Sequence, residues 1–304
     1  MDHISQVLNC PLCGSTSVRP DISIDKKHII WQCSQCTVQF LSPQLSNEEL
    51  QALYSENYYS SWGIKGHEEN ESTRQMKMAT FSLRMHLIKQ YRSTGKVLDI
   101  GCATGYFLEV AEEEGFEPFG VEYSAYAAEI AQNKFGVNNI FNGTLEQCNF
   151  PERYFDVIAM SDLIEHVRNP VQTLSKAASL LKDDGVIMIM TPDTGSFSRL
   201  WMRKKWTHYK LEHFFYFNHP SMNCLAGQCK LKAVSYERSK KALNLNYLHT
   251  QFNVYKHWLL TPLANFAHFI LPRRIAAHNF HGGIGEMVVI LKKSPPEESG
   301  RHVT

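Results

Sequence analysis

No stretch of this 304-residue chain approaches the roughly 18 apolar residues in a row that a membrane-crossing helix needs. The most apolar stretch, Trp258 to Leu271, is interrupted by Pro262, Asn265 and His268. The opening residues, MDHISQVLNC, hold no apolar run of the kind a secretory signal requires, so a cytoplasmic location is expected. A surplus of charge is missing too: 31 Lys and Arg against 30 Asp and Glu leave a formal net charge of +1. Proteins that coat nucleic acid carry an obvious basic excess, and this chain has none. Repeats are absent, and the one biased segment is the polar tail 294–304, read as disordered. A hydrophobic share of 43% and a charged share of 20% are ordinary for a soluble globular protein. The length suits one full α/β domain with a small appendage.

Cysteine, by contrast, is plentiful. Eight are present, and four form two close pairs, Cys10-Pro-Leu-Cys13 and Cys33-Ser-Gln-Cys36. In a reducing compartment paired cysteines hold metal more often than they form disulfides. Two such knuckles joined by the loop Gly14–Gln32 supply four thiolates, the set that tetrahedral structural zinc takes. An iron–sulfur centre and redox thiols are competing readings; the first lacks a partner domain and the second needs one pair, not two. So short a segment buries too little apolar surface to fold unaided, and the metal would supply the missing stability. Residues 1–42 are therefore read as a zinc-ribbon-like module, with the β-prone stretch His28–Gln32 leading into the second pair. Residues 43–73 read as linker or lid. Within them Ser46-Asn47-Glu48-Glu49 has the pattern of a capping box opening a short helix through Tyr54, and Tyr58–Asn70 is polar, aromatic and dotted with glycine.

From Arg74 to Arg92, Met78, Phe81, Met85, Leu87 and Ile88 recur at helical spacing. Beyond Gly95 strand and helix patterns alternate. Strands are expected at Val97–Ile100, Pro118–Val121, Asn139–Phe141, Phe155–Met160 and Val186–Met190, and helices at Tyr106–Glu114, Ala125–Phe135 and Val171–Leu181. This alternation implies an α/β fold, a mostly parallel, Rossmann-like sheet with helices on both faces. Right-handed crossovers then bring the C-terminal ends of the parallel strands to one edge, where ligands bind. Leu231–Arg238 and Glu286–Leu291 complete seven strands, the last folding back antiparallel between its neighbours. This domain spans 74–293, with an aromatic-rich insertion at about 244–284.

The stretch VLDIGCATG, Val97 to Gly105, is an apolar strand entering a glycine turn and then a helix. Gly101 and Gly105 permit close backbone approach and dihedrals that other residues resist. The dinucleotide fingerprint G-x-G-x-x-G is not met, because Ala103 and Tyr106 occupy its second and third glycine positions. Glu122 closes the second strand, well placed to accept hydrogen bonds from two ribose hydroxyls. Together with GVEYS, FDVIAMSDLIEHV and LLKDDGVIMIMTPD, this stretch resembles the class I S-adenosylmethionine-dependent methyltransferases over about residues 75–293. With a zinc-ribbon-like module in front, the chain is similar to ubiquinone-pathway and to sugar or cell-envelope members. The resemblance implies S-adenosylmethionine as cofactor, with Asp99, Gly101, Cys102, Ala103, Gly105, Tyr106, Glu122, Tyr123, Thr144, Leu145, Ser161 and Asp162 as its site. In that family the glycine turn cradles the methionine part, the acidic residue holds the ribose, and the pair at Thr144-Leu145 flanks the adenine.

Methyl transfer from a sulfonium is an in-line displacement with an activated leaving group, so alignment does most of the catalysis. A proton must also leave the acceptor where it is not lost easily. The fourth strand delivers Ser161-Asp162-Leu163-Ile164-Glu165-His166 beside the methyl group. His166 is the leading general-base candidate, since imidazole titrates near neutral pH; the plainer reading is that Glu165-His166 only orders the loop. Asp162, Glu165 and His166 also resemble the D/E-x-x-E-H of ubiquinone-pathway and small-RNA 2′-O-methyltransferases, which implies a divalent-metal (Mg²⁺) site. Here Asp replaces Glu, and a second histidine would be needed. After the fifth strand, Trp206–Phe217 has the polar-tipped aromatics and histidines of an acceptor-pocket wall. His213 with Tyr216 resembles the EHxxYF segment of sugar and cell-envelope enzymes and makes His213 the second catalytic candidate; an apolar seam with surface histidines is the plainer alternative.

The insertion, with Phe252, Trp258, Phe266, Phe269 and Arg273-Arg274, has three readings: packing on the domain, a dimer interface, or contact with a membrane surface. A methyltransferase acting on a small-molecule or glycan-type acceptor, at oxygen or carbon, is the expected function. An RNA methyltransferase whose zinc module grips nucleic acid is the first alternative, and it predicts steeply salt-dependent binding to a contiguous Lys/Arg face, with Lys204, Lys205, Lys230, Lys232, Lys240 and Lys241 as the obvious contributors. A non-catalytic, methyltransferase-like binding subunit is the second, and it predicts no cofactor affinity.

Overall fold

The computed structural model describes residues 9–53, 64–65, 68–69, 71–254, 260–276, 278, 280–283 and 285–295. The expected helix end at Tyr54, most of the expected lid Tyr58–Asn70, Trp258 of the insertion and the tail beyond Pro295 lie outside these residues. The chain opens with strands β1 (Val18–Ser23), β2 (Ile29–Cys33) and β3 (Gln39–Ser42) and helix α1 (Asn47–Leu53). The short pair β4 (Ile64–Lys65) and β5 (Glu68–Glu69) precedes α2 (Glu71–Lys89). Then β6 (Gly95–Ile100), α3 (Tyr106–Glu113), β7 (Phe116–Glu122), α4 (Ala125–Phe135), β8 (Ile140–Asn142), β9 (Phe155–Ser161), α5 (Pro170–Leu180) and β10 (Leu181–Pro192) alternate. Next come α6 (Phe197–Met202), β11 (Phe215–Tyr216), α7 (His219–Gln228) and β12 (Leu231–Arg238). In the insertion, β13 (Lys241–Leu243) and β14 (Phe280–Gly282) enclose α8 (Leu245–Val254), α9 (Leu260–Ile270) and α10 (Arg273–Ala276), and β15 (Glu286–Lys293) follows.

Seven strands form one sheet in the order β12-β15-β10-β9-β6-β7-β8. Only β15 runs antiparallel, between β12 and β10; the remaining pairs are parallel. The Rossmann-like sheet expected from the sequence is present. Its central strands carry unbroken apolar runs, Val157–Met160 in β9 and Val186–Met190 in β10, because both faces are covered there. Ile158, Met160, Ile187 and Ile189 point into one core, and Val157, Ala159, Val186 and Met188 into the other. Helix starts follow local chemistry: Ser124 caps α4 by accepting from the Ala127 N–H, and Asn169 caps α5 with Pro170 at its first turn. The fifth strand begins earlier than Val186, because Leu181 already pairs with Phe155 and the ladder resumes at Val186 after an irregular step.

A second sheet has the order β1-β2-β3-β11. Three strands come from the N-terminal module, but β11 belongs to the catalytic region, and Phe215 pairs with Phe40. Cys10, Leu12, Ile30, Trp31 and Phe40 share a core with Phe214, Phe215, Tyr216 and Phe217. Residue 42 therefore marks a change in sequence character and not a break in packing. At the other end of the chain, the Ala242 N–H of β13 donates to Thr80 Oγ1 of α2 at 3.0 Å, which fixes the base of the insertion on the domain. Among the described residues no helix is long and apolar enough to cross a membrane.

Candidate active site

β6 runs into the turn Gly101–Gly105, whose backbone is left-handed at Gly101 (φ 80°), Ala103 (φ 47°) and Gly105 (φ 89°). A Cβ at Gly105 would lie 2.5 Å from Phe135 Cε2, so this position needs glycine for both conformation and space. The Glu122 carboxylate at the end of β7 accepts from the Ala103 N–H through Oε2 at 2.9 Å and from the Ser124 N–H through Oε1 at 2.7 Å. It ties the first turn to the second and keeps a lone pair on each oxygen for further donors. Burial raises its pKa against the pull of those backbone donors; hydroxyl donors from a ligand would favour the ionised form.

Asp99 is buried on β6, and its Oδ1 has no hydrogen-bond partner among the described residues. Burial lifts its pKa to about 7 against the nearby Arg84 guanidinium. Ser161 Oγ and Arg84 Nε are likewise buried without partners. Orphaned polar atoms of this kind call for an explanation, and the carboxyl edge of a parallel sheet is where a polar ligand provides one. Of the other expected cofactor residues, Tyr123 is exposed beside Glu122, Leu145 is buried, and the Thr144 N–H donates to Gln147 Oε1. Cys102 is committed to packing, its Sγ lying against Gly120. The Tyr106 ring is covered by Lys77 and Lys134, at 4.8 and 5.3 Å from its centroid.

Beyond β9, Asp162 adopts a left-handed φ of 55°. Its carboxylate lies 3.6 Å from Lys241 Nζ and 4.0 Å from Arg84, and Lys241 Nζ is also 2.7 Å from Glu286. Burial opposes ionisation of Asp162, but Lys241 and Arg84 outweigh it and hold the pKa below the usual carboxylate range. Sequence reasoning missed Arg84, Lys241 and Glu286 as site residues. Arg84 reads as one more polar position of α2, and Lys241 as part of a basic surface; only the tertiary arrangement buries Arg84 and half-buries Lys241 beside Asp162.

Asp162 is thus occupied by cations, and the cluster that forms is Glu165, His166 and His213, with potential ligand atoms within 4.8 Å of one another. This differs from the Asp162–Glu165–His166 set that the family resemblance implies, and it supplies the missing second histidine. The imidazoles of His166 and His213 meet edge to face. His166 Nδ1 is 2.9 Å from the Glu212 carbonyl, which can only accept, so Nδ1 carries the proton and Nε2 the lone pair. Burial pushes the His166 pKa down to about 4 and lowers that of His213 as well. Glu165 accepts from the Thr191 hydroxyl at 2.9 Å, and burial, followed by the Asp162 charge, raises its pKa. Its backbone carbonyl accepts from the N–H groups of Phe214 and Phe215, and this brings His213 to the loop after β9. His213 Nδ1 is buried and unpartnered among the described residues.

The four N-terminal cysteines also converge. Zinc–sulfur bonds of about 2.3 Å in a tetrahedron put sulfurs roughly 3.8 Å apart. Cys10 and Cys36 Sγ are 3.7 Å apart, Cys13 and Cys33 Sγ 3.6 Å, and all four lie within 4.8 Å. None is in a disulfide.

The family described as a methyltransferase domain matches residues 71–235. A stretch of 109 residues is 26% identical to a probable S-adenosylmethionine-dependent methyltransferase of Mycolicibacterium smegmatis, covering 36% of this chain and 42% of that protein. Another, of 107 residues, is 30% identical to the ubiquinone biosynthesis O-methyltransferase of Haemophilus ducreyi, covering 32% of this chain and 44% of that protein. The chain spans less than half the length of these two curated relatives. Among solved structures, a Pyrococcus horikoshii protein superposes with a TM-score of 0.52 at 16% identity, over 79% of this chain and 99% of that one. The Burkholderia thailandensis 1,6-didemethyltoxoflavin-N1-methyltransferase, solved with 1,6-didemethyltoxoflavin and S-adenosylhomocysteine, gives 0.50 at 15% identity over 91% and 100%. At these identities the likeness is one of fold.

Proposed function

Because the chain belongs to the methyltransferase-domain family, we propose that it is an S-adenosylmethionine-dependent methyltransferase acting on a small-molecule or glycan-type acceptor at oxygen or carbon. One arrangement supports this reading most: a left-handed glycine turn and the Glu122 carboxylate face the same sheet edge as Asp99 Oδ1, Ser161 Oγ and Arg84 Nε, atoms buried without hydrogen-bond partners among the described residues. S-adenosylmethionine, when bound, supplies a methyl group already activated on a sulfonium. The turn backbone would hold its methionine part, with Arg84 suited to the carboxylate, and Glu122 would accept from the ribose hydroxyls. His166, neutral and with the lone pair on Nε2, would take a proton from the acceptor, although burial makes it a weaker base than the near-neutral imidazole its sequence suggests; His213 positions it and closes the pocket wall. Four thiolates at tetrahedral spacing fit a structural zinc in the N-terminal module.

A second reading of the histidine pair is favoured by the unpartnered Nδ1 of His213. Glu165, His166 and His213 offer one carboxylate and two imidazoles, a set better suited to zinc, manganese or iron than to magnesium. A cation there would lower the pKa of an acceptor hydroxyl. The RNA reading gains no such support. Lys241 is engaged with Asp162 and Glu286, while Lys230 and Lys232 lie at the start of β12, at the opposite edge of the sheet.

Calorimetry with S-adenosylmethionine and with S-adenosylhomocysteine tests the cofactor site, and binding of both is expected. No heat with either ligand on folded protein would sink the proposal. Transfer of labelled methyl to a panel of phenols, glycans and RNA then separates the acceptor classes. Elemental analysis should find one metal per chain held by the cysteines, and a second after manganese or zinc loading only if the Glu165–His166–His213 site is real.

A further inference from the structure

We propose that α6 and the outer part of the insertion form one docking rim that seats this protein on an anionic lipid surface beside its active-site edge. Packing within the chain explains only the inner side of α6, where Met202 reaches the core and Ser198 and Arg199 are hydrogen-bonded to Trp206 and Tyr209. None of its residues is buried, yet Phe197, Leu200 and Trp201 are large and apolar and lie at i, i+3 and i+4, on one face. Phe197 is 79% exposed and Trp201 76%. Arg203, Lys204 and Lys205 follow at once, exposed and in no salt bridge among the described residues. A tryptophan–phenylalanine–leucine face with lysine and arginine beside it is the pattern of segments that lie in the lipid interface.

The second half of the rim is α9, where Leu263, Phe266, Phe269 and Ile270 are exposed, Phe269 at 87%. Beside it an apolar hollow of about 580 Å³ is lined by Leu245, Leu248, Leu271, Ile275 and Phe280, with His278. Topology puts both halves on one side. α6 follows β10, and the insertion follows β12, which is parallel to β10 because both are antiparallel to β15. Both segments thus leave the C-terminal edge that carries Glu122 and His166. Their bases meet: the Asp193 N–H, before α6, donates to the Gly285 carbonyl, just past the insertion, at 2.9 Å, and a Cβ at Gly285 would meet Ser198 Oγ of α6.

Charge decides the occupant. The chain as a whole is balanced, with 31 basic and 30 acidic residues, yet neither Thr194–Leu211 nor Ser239–Gly285 contains a single Asp or Glu. An apolar surface for a second copy or a protein partner has no need to exclude carboxylates. An anionic bilayer, whose surface potential attracts nearby lysine and arginine and repels acids, does. A membrane-held rim would also present a lipid-tailed acceptor to the catalytic edge.

The test is flotation of the full chain with vesicles of phosphatidylcholine alone and of phosphatidylcholine with phosphatidylglycerol, at low and high salt. Binding is expected only to the vesicles containing phosphatidylglycerol, weakened by salt. Trp201→Ser and the pair Lys204→Glu and Lys205→Glu should each lower partitioning by roughly tenfold or more. Calorimetric affinity for S-adenosylhomocysteine should be unchanged in both variants, which shows that the fold is intact and keeps the result separate from the transfer reading. Wild-type protein that ignores phosphatidylglycerol, or that binds as well after Trp201→Ser, overturns the proposal. A concentration-dependent dimer that Trp201→Ser dissolves, without vesicle binding, assigns the surface to a second copy and overturns it equally.

Discussion

The imidazoles of His166 and His213 stand edge to face with centroids 4.6 Å apart, although one follows a strand of the parallel sheet and the other belongs to the aromatic segment that joins the N-terminal module. If this pair serves the acceptor, His166→Ala and His213→Ala should leave S-adenosylhomocysteine affinity unchanged and lower turnover. Loss of a positioned acid–base group costs about 10²–10⁴-fold. Single-turnover transfer to an acceptor found by screening measures it, and full turnover in either variant would remove that residue from the mechanism.

Glu122 makes a sharper case, because its two oxygens already accept the N–H groups of Ala103 and Ser124. Glu122→Ala removes the ribose acceptor and also the tie between the two turns. A hydrogen bond to a charged group contributes about 1.5–3 kcal/mol, so calorimetry should find cofactor affinity lower by roughly 10–100-fold. Glu122→Gln keeps the shape but only one accepting oxygen, and should fall between the two. Equal affinities in all three proteins would take Glu122 out of the cofactor site.

Asp99 provides the pH dependence. Its folded pKa of about 7 stands above the ordinary carboxylate value, so the folded state holds a proton that the unfolded chain releases. Its stabilising effect is complete below the unfolded value of about 4 and is lost as pH rises through about 7. His166 and His213, whose pKa values burial lowers, act in the opposite sense over the same window. Asp99 is therefore read from the difference between two proteins: from pH 5 to pH 8 the ligand-free wild type should lose urea resistance relative to the isosteric Asp99→Asn. An unchanged pH profile in the variant would place the dependence elsewhere.

Much of this architecture was legible in the chain. The alternation from Val97 to Met190, the glycine turn and Glu122 are local patterns, and α/β topology leaves few ways to assemble them. The cysteine pairs were equally plain, since spacing alone reveals two knuckles. What escaped was everything decided across the fold. Arg84 and Lys241 are ordinary charged residues until α2 and β13 bring them against Asp162. The family resemblance drew Asp162 into a set with Glu165 and His166, but a left-handed turn and two cations divert it. No short-range signal shows that β11 would complete a sheet begun by β1 to β3.

Gly105 tests the turn itself. Its φ of 89° and the 2.5 Å approach of Phe135 to a would-be Cβ penalise alanine twice. The left-handed backbone costs a non-glycine residue about 1–2 kcal/mol, before Phe135 is displaced. Gly105→Ala should lower the melting temperature and abolish detectable cofactor binding, whereas Gly115→Ala, with φ 87° and open space around it, should carry only the backbone penalty and bind normally. Scanning calorimetry and titration on both variants separate the two contributions.

The shared sheet would give metal binding by the four cysteines a consequence beyond the N-terminal module. β3 pairs with β11, and Phe40, Trp31 and Leu12 pack in the same core as Phe214 and Phe217. A metal held by Cys10, Cys13, Cys33 and Cys36 would therefore also support the wall that carries His213. Stripping it with a chelator, or replacing Cys10 with serine, should lower the melting temperature of the whole chain in one cooperative transition, since binding to the folded state alone stabilises by mass action. An autonomous module would instead give a separate low-temperature transition and leave the main one where it was. Metal content measured beside each melting curve distinguishes the outcomes: loss of zinc with an unmoved main transition would show that the two sheets are neighbours without being energetically coupled.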